Sequence, residues 1–132
     1  YSVQGNILAS DEVVTAGVEA LIAAEGTLAD RVMAAMEAAD AKGGDRRCTC
    51  ESEPRTPGVA CDGKTSHVAY ILMAEASNTV GASYNDGRYT MYVTAANTDI
   101  QPSENANPVK TLRMRYDAWK RSSGWRAPAP DQ

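Results

Sequence analysis

Five residues able to do chemistry lie between positions 48 and 67: Cys48, Cys50, Cys61, Ser66 and His67. The cysteines sit in a polar segment containing Pro54, Pro57, Gly58 and Gly63, where free thiols would have no core to enter. Their surroundings suggest a disulfide closing a loop of about ten residues, for which the chain-entropy account gives ~2–3 kcal/mol. Spacing leaves the connectivity open. Such a bond belongs to an oxidising compartment, so the protein is expected to be secreted, extracellular or periplasmic. An odd cysteine is left over, which suggests a partner on another chain and a possible homo-oligomer. Zinc would need four ligands, and Cys-x-Cys with Cys61 and His67 is an irregular set; no metal or cofactor is expected. Ser66 and His67 invite a nucleophile–base reading, but neighbours on a strand point to opposite faces. Arg46 and Arg47 could hold a substrate carboxylate through a bidentate contact, although a surface salt bridge is the simpler role.

The elements that position these residues follow from periodicity and end signals. Tyr1–Leu8 reads as a short extended segment that turns at Gly5 and Asn6. Ser10 is placed to cap a helix with Asp11 and Glu12 in its first turn. Val14, Val18, Leu21 and Ile22 would form its buried stripe, and Gly26 its stop. Thr27 and Asp30 have the spacing of a capping box in its Asp form. Leu28, Val32, Met36 and Ala39 would line the second helix as far as Gly43-Gly44. Residues 45–65 lose all periodicity and read as an irregular insertion. The apolar run from Ser66 to Ala74 fits a strand buried on both faces. Asn85-Asp86-Gly87 signals a hairpin turn, followed by alternation through Tyr89, Met91 and Val93, so two antiparallel strands are expected, with Met73 and Met91 in the core. Asn107 caps a last helix with Pro108 at its first position, and Val109, Leu112, Tyr116 and Trp119 form its apolar stripe. Residues 124–132, with Pro128 and Pro130, read as a loosely ordered tail.

The order expected is strand-helix-helix-strand-strand-helix, an α+β arrangement. Three strands are few for two helical stripes and a doubly buried strand, so residues 1–123 read as part of a larger domain. Of 132 residues, 43% are hydrophobic, an ordinary share for a globular chain, and the net charge is −4. That charge argues against a nucleic-acid surface. Arg113, Arg115, Lys120 and Arg121 read as the solvated face of the last helix. No run approaches the roughly 18 apolar residues of a membrane span. The first residue is Tyr1, so the sequence is read as starting after a cut.

The opening Tyr1-Ser2-Val3-Gln4-Gly5-Asn6-Ile7-Leu8 and the turn Gly43-Gly44-Asp45-Arg46-Arg47 are similar to motifs of a bacterial family. That family is catalogued as domain of unknown function 1028 and is placed in the N-terminal-nucleophile (Ntn) hydrolase superfamily. Ser66 before an apolar strand, and Asn107-Pro108-Val109 opening a late helix, resemble it in the same order. The insertion at 45–65 departs from the pattern. The resemblance implies an αββα sandwich of which this chain is the C-terminal half, with the N-terminal half of the same domain as its partner.

It also implies hydrolysis of amide or ester bonds by a Thr, Ser or Cys whose own α-amino group acts as base. Tyr1 does not suit that role, because its phenol has a reference pKa of about 10 and lies far from its amine; the nucleophile is therefore expected on the missing half. In proteasome-type relatives, positions like Gln4-Gly5-Asn6 and Asp45 lie near the nucleophile. Asn6 could then donate to an oxyanion, a contact commonly worth about 2.7–4 kcal/mol, and Asp45 could orient the amine. Gln4, Gly5 and Arg47 become candidates for substrate binding, and Ser66 for a hydroxyl near the centre. The simpler roles are a turn for Asn6 and pairing with Arg47 for Asp45. The other function considered is extracellular binding or assembly on the same fold without catalysis.

Overall fold

The computed structural model describes residues 1–52, 56–78 and 89–122. These form an α+β arrangement of three helices and one two-stranded antiparallel sheet: α1 (Glu12–Ala23), α2 (Leu28–Ala41), β1 (Val68–Met73), β2 (Met91–Ala96) and α3 (Pro108–Ser122). Tyr1–Leu8 is not a strand. It makes one isolated antiparallel bridge, Leu8 to Asp45, flanked by Ala9 N–H to Gly44 O (2.9 Å) and Arg46 N–H to Ile7 O (3.2 Å). The pairing stops there because its partner is the curled turn after α2, where Gly43 and Gly44 have φ of 95° and 50°, and not a straight strand.

The first two helices form a hairpin. Asp11, not Ser10, occupies the N-cap of α1 and makes no side-chain capping bond; Ser10 contributes only its carbonyl, to Val13 N–H at 3.3 Å. Val13, Gly17 and Leu21 are the buried line, while Ile22 is 55% exposed. Gly17 belongs to that line because α2 passes close: a Cβ there would sit 3.6 Å from Ala35 O. On α2, Ala29 and Met33 are the buried positions and Leu28 is 59% exposed. Close helix contact selects small residues, which a search for large apolar ones passes over. The capping box is present in both halves: Thr27 Oγ1 accepts from Asp30 N–H and Asp30 accepts from Thr27 N–H.

β1 and β2 pair in register from Val68↔Ala96 to Met73↔Met91. Residues opposite one another share a face, so Ala69, Ile71, Met91, Val93 and Ala95 point inward with Leu112 and Tyr116 of α3. The other face carries Val68 (54% exposed), Tyr70 (44%) and Tyr92, the two rings 6.3 Å apart. β1 is therefore buried on one face only, contrary to the expectation from its unbroken apolar run, because among the described residues the helices lie on one side of the sheet. Asn78 Oδ1 ties the far ends together, accepting from Glu75 N–H and Thr90 N–H at 2.9 Å each. The expected turn at Asn85-Asp86-Gly87 and the tail 124–132 lie outside the described residues.

α3 begins as its sequence indicates. Asn107 Oδ1 accepts from Val109 N–H at 3.2 Å with Pro108 in the first position, and Val109, Leu112 and Tyr116 are buried with Trp119 packed against them. Its basic residues are not a solvated face. Arg113 forks onto Glu37 (both contacts 2.7 Å), and Arg115 holds Glu104, Asp99 and Thr94 O. Lys120 and Tyr116 Oη both donate to Asp30 Oδ1, at 3.1 and 2.8 Å; Arg121 is exposed. The capping box of α2 is thereby bolted to α3.

Candidate functional site

The irregular segment is held by a disulfide between Cys50 and Cys61. Within its loop, Thr56 Oγ1 donates to Asn97 O, and Asn97 N–H donates to His67 O at 3.0 Å. The segment is thus fastened to one end of the sheet. Cys48 is the odd thiol, and it is buried, 6% exposed. The sequence reading offers a spare thiol to another chain; here that thiol is not at the surface, and Cys48 N–H bonds Asp45 O at 3.0 Å.

Beside it opens a groove of about 650 Å³ between the N-terminal segment, α1, the end of α2, the 44–48 turn, residues 65–69 and the start of α3. Gln4, Asp45, Arg47 and Ser66 all line it, together with His67 and Cys48. Asn6 and Gly5 do not: both are exposed, and Gly5 is closed off by the Leu8 side chain, 2.9 Å from where a Cβ would lie. The Leu8–Asp45 bridge therefore brings one candidate of the opening motif to the groove and leaves two on the outer surface.

Asp45 and Arg47 hold each other. Asp45 Oδ1 accepts Arg47 N–H and Nε–H at 2.9 Å, and Oδ2 accepts Nη2–H at 2.5 Å. The Arg47 side-chain bond, opposed by partial burial, keeps the Asp45 carboxyl at about 2. At neutral pH it is an ionised, fully engaged acceptor. Arg47 Nη1 has no partner among the described residues.

His67 Nε2 lies 3.1 Å from Ser52 Oγ. That hydroxyl also lies 2.7 Å from Thr49 O, and its single proton serves one of the two acceptors according to the imidazole tautomer. Burial, then the positive field of Lys64, lower the imidazole pKa, with Arg47 acting in the same sense and Asp45 against. Ser66 Oγ is buried and has no hydrogen-bond partner among the described residues. Burial, then Asp45, push the Cys48 thiol up. Neither group is an activated nucleophile: one lacks a base and the other is held protonated. No three His, Cys, Asp or Glu side chains converge on a metal position among the described residues.

Asp40, which sequence reading did not single out, also lines the groove. Its Oδ1 accepts from Thr65 Oγ1 and, at 2.6 Å, from Asn107 Nδ2. Asn107 is recognisable as a cap, but nothing local shows that its amide also reaches the end of α2. The disulfide, and the lack of any helix long and apolar enough to cross a membrane among the described residues, complete the setting.

Residues 1–53 fit the model of a family described as "Family of unknown function (DUF1028)". That stretch contains the opening motif, the helical hairpin and the Gly43–Arg47 turn, all of which meet at the groove. No curated protein and no solved structure matches the chain.

Proposed function

We propose that this chain, which over residues 1–53 belongs to the DUF1028 family, forms one wall of an Ntn-type site that hydrolyses amide or ester bonds. The nucleophile comes from a further segment, the N-terminal half of the same domain. The observation that carries this reading is the meeting of Gln4, Asp45, Arg47 and Ser66 around one groove, from three separate parts of the chain. Two further features support it. Neither Ser66 nor Cys48 is activated among the described residues, which suits a nucleophile of another origin. The open side of the sheet, with Val68, Tyr70 and Tyr92, suits a second sheet packed on it, as in an αββα sandwich. The disulfide suits secretion.

A second reading, extracellular binding or assembly without catalysis, is favoured by one observation. Asp45 is saturated by Arg47, so the described groove offers no free carboxylate at that position to orient an amine.

Intact mass measurement of the native protein with and without reductant, N-terminal sequencing of every chain, and labelling with a β-lactone acylating probe separate the two. Acylation of a mature N-terminal Thr, Ser or Cys supports the hydrolase. A folded, unprocessed and unlabelled protein refutes it in favour of binding.

A further inference from the structure

The two edges of the sheet are not alike. Asn97 N–H donates to His67 O in the register of the two strands, and this fixes the parity of the ladder. Odd-numbered residues of β1 and β2 exchange hydrogen bonds with each other, and even-numbered ones turn N–H and C=O towards the outer edges. On β2 the outward groups are taken. Arg115 Nη1 donates to Thr94 O at 2.9 Å. Asp99 Oδ1 accepts Ala96 N–H at 3.1 Å, and Asp99 N–H donates to Ala96 O at 2.9 Å. Glu104 grips the same guanidinium at 2.8 and 2.7 Å. Another strand could pair with β2 only by displacing this charged cluster.

The edge of β1 carries no such guard. The outward N–H and C=O groups of Val68 and Leu72 meet no partner among the described residues. The strand reads Val-Ala-Tyr-Ile-Leu-Met, without the charge or proline that commonly keeps sheet edges apart. Val68 and Tyr70 are exposed.

We propose that β1 pairs with β1 of a second copy, antiparallel about a twofold axis at Tyr70, to give a sheet of order β2-β1-β1-β2. Three features select a second copy as the occupant. The register that sets Val68 opposite Leu72 of the second copy is its own inverse, so one arrangement engages the outward groups of both edges. It also keeps like charges apart. Glu75, exposed just beyond β1, falls opposite Thr65 of the second copy. Thr65 O holds Asp45 N–H at 3.0 Å, so the turn beside it carries the exposed Arg46 towards that carboxylate. Finally, the assembly closes: both outer edges are then β2 edges guarded by Arg115 and Asp99, and pairing stops at two copies. The contact uses an edge and leaves the exposed face of the sheet available, so it stands independently of the hydrolase reading.

Sedimentation equilibrium of the native polypeptide that contains this chain, at about 1–300 µM, reads the contact, because small interfaces dissociate in that range. Residue-resolved hydrogen exchange locates it. A monomer–dimer equilibrium is expected, with the Val68 and Leu72 amides protected in the dimer and released on dilution. Val68→Pro removes an outward N–H at the first residue of the strand, where proline is tolerated, and should raise the dimer Kd at least tenfold. Val68→Thr keeps that N–H and should change the Kd less than threefold. The Ile71 and Val93 amides belong to the β1–β2 ladder and should stay protected in both variants, which shows the sheet intact. Arg46→Glu lies outside the sheet, should weaken the dimer several-fold at low salt, and guards against a folding defect in Val68→Pro. A monomer throughout the range, or a dimer indifferent to both Val68→Pro and Arg46→Glu, would overturn the proposal. So would protection of Val68 and Leu72 in a monomer, which would give that edge to another segment of the same polypeptide.

Discussion

Asp30 offers the most quantitative test of how this fold is held together. Its carboxylate is shared by two helices: it accepts Thr27 N–H and Oγ1–H within the capping box of α2, and Tyr116 Oη–H and Lys120 Nζ–H from α3. Partial burial alone would raise its pKa, but the four bonds outweigh that and lower it from 3.8 to about 2. The unfolded chain therefore binds a proton at this position before the folded one does, and stability must rise with pH across that interval. The contribution is complete above about pH 4 and is lost as the pH falls through about 2. Such a displacement corresponds to ~2.5 kcal/mol at most. With 26% of the side chain open to solvent, screening reduces the expected value to about 1–2 kcal/mol. Asp30→Asn keeps an acceptor for Thr27 and Tyr116 but removes the charge. Urea denaturation of both proteins at several pH values should give a gap of that size at pH 7, closing towards pH 2. The difference between the proteins cancels the titration of every other carboxylate. A gap that stays constant with pH would refute the argument and reduce Asp30 to an uncharged cap.

Three other outcomes follow from the same geometry. Replacing Cys50 and Cys61 together by Ser removes a cross-link of sequence separation 11 and should cost about 2–3 kcal/mol in urea melts, with no effect of reductant on the variant. Iodoacetamide should label Cys48 in the native protein only at the rate of opening, since the thiol is buried and its pKa raised; mass spectrometry showing rapid native labelling would contradict this. Gly44→Ala places a methyl 2.6 Å from Thr65 O at a φ of +50°, so it should destabilise by more than about 1 kcal/mol and weaken any ligand binding at the groove.

Local signals carried much of the fold and little of the site. The Thr27–Asp30 box and the Asn107-Pro108 start were readable because each is complete within four residues, and the structure has both. The stripe of α3 was readable because one face meets one core. α1 and α2 were harder: they approach each other closely at Gly17 and Ala35, and small residues carry no hydrophobic periodicity. The apolar run of β1 fits burial on both faces equally well, and only the tertiary arrangement leaves Val68 and Tyr70 outside. The basic residues of α3 look like a solvated face in any window of sequence, because their partners Glu37, Asp30 and Glu104 lie on other elements.

The groove depends on a tie that no window of sequence contains. Leu8 meets Asp45 across a single bridge, and that meeting is possible because Gly44, at positive φ, lets the chain double back past Thr65 with Asp45 N–H on Thr65 O at 3.0 Å. The opening motif and the Gly43–Arg47 turn are thus two halves of one local structure, which explains why a single family model spans both within residues 1–53. Asn6 and Gly5 belong to the motif but are exposed and do not line the groove. Ser66, by contrast, comes from beyond the matched stretch and meets the groove only because Thr65 is held there by Asp40 and Asn107. The chemistry of the groove is therefore assembled in two steps. A compact motif supplies the Asp45–Arg47 pair, and the packing of α3 against the end of α2 brings Ser66 to the same groove.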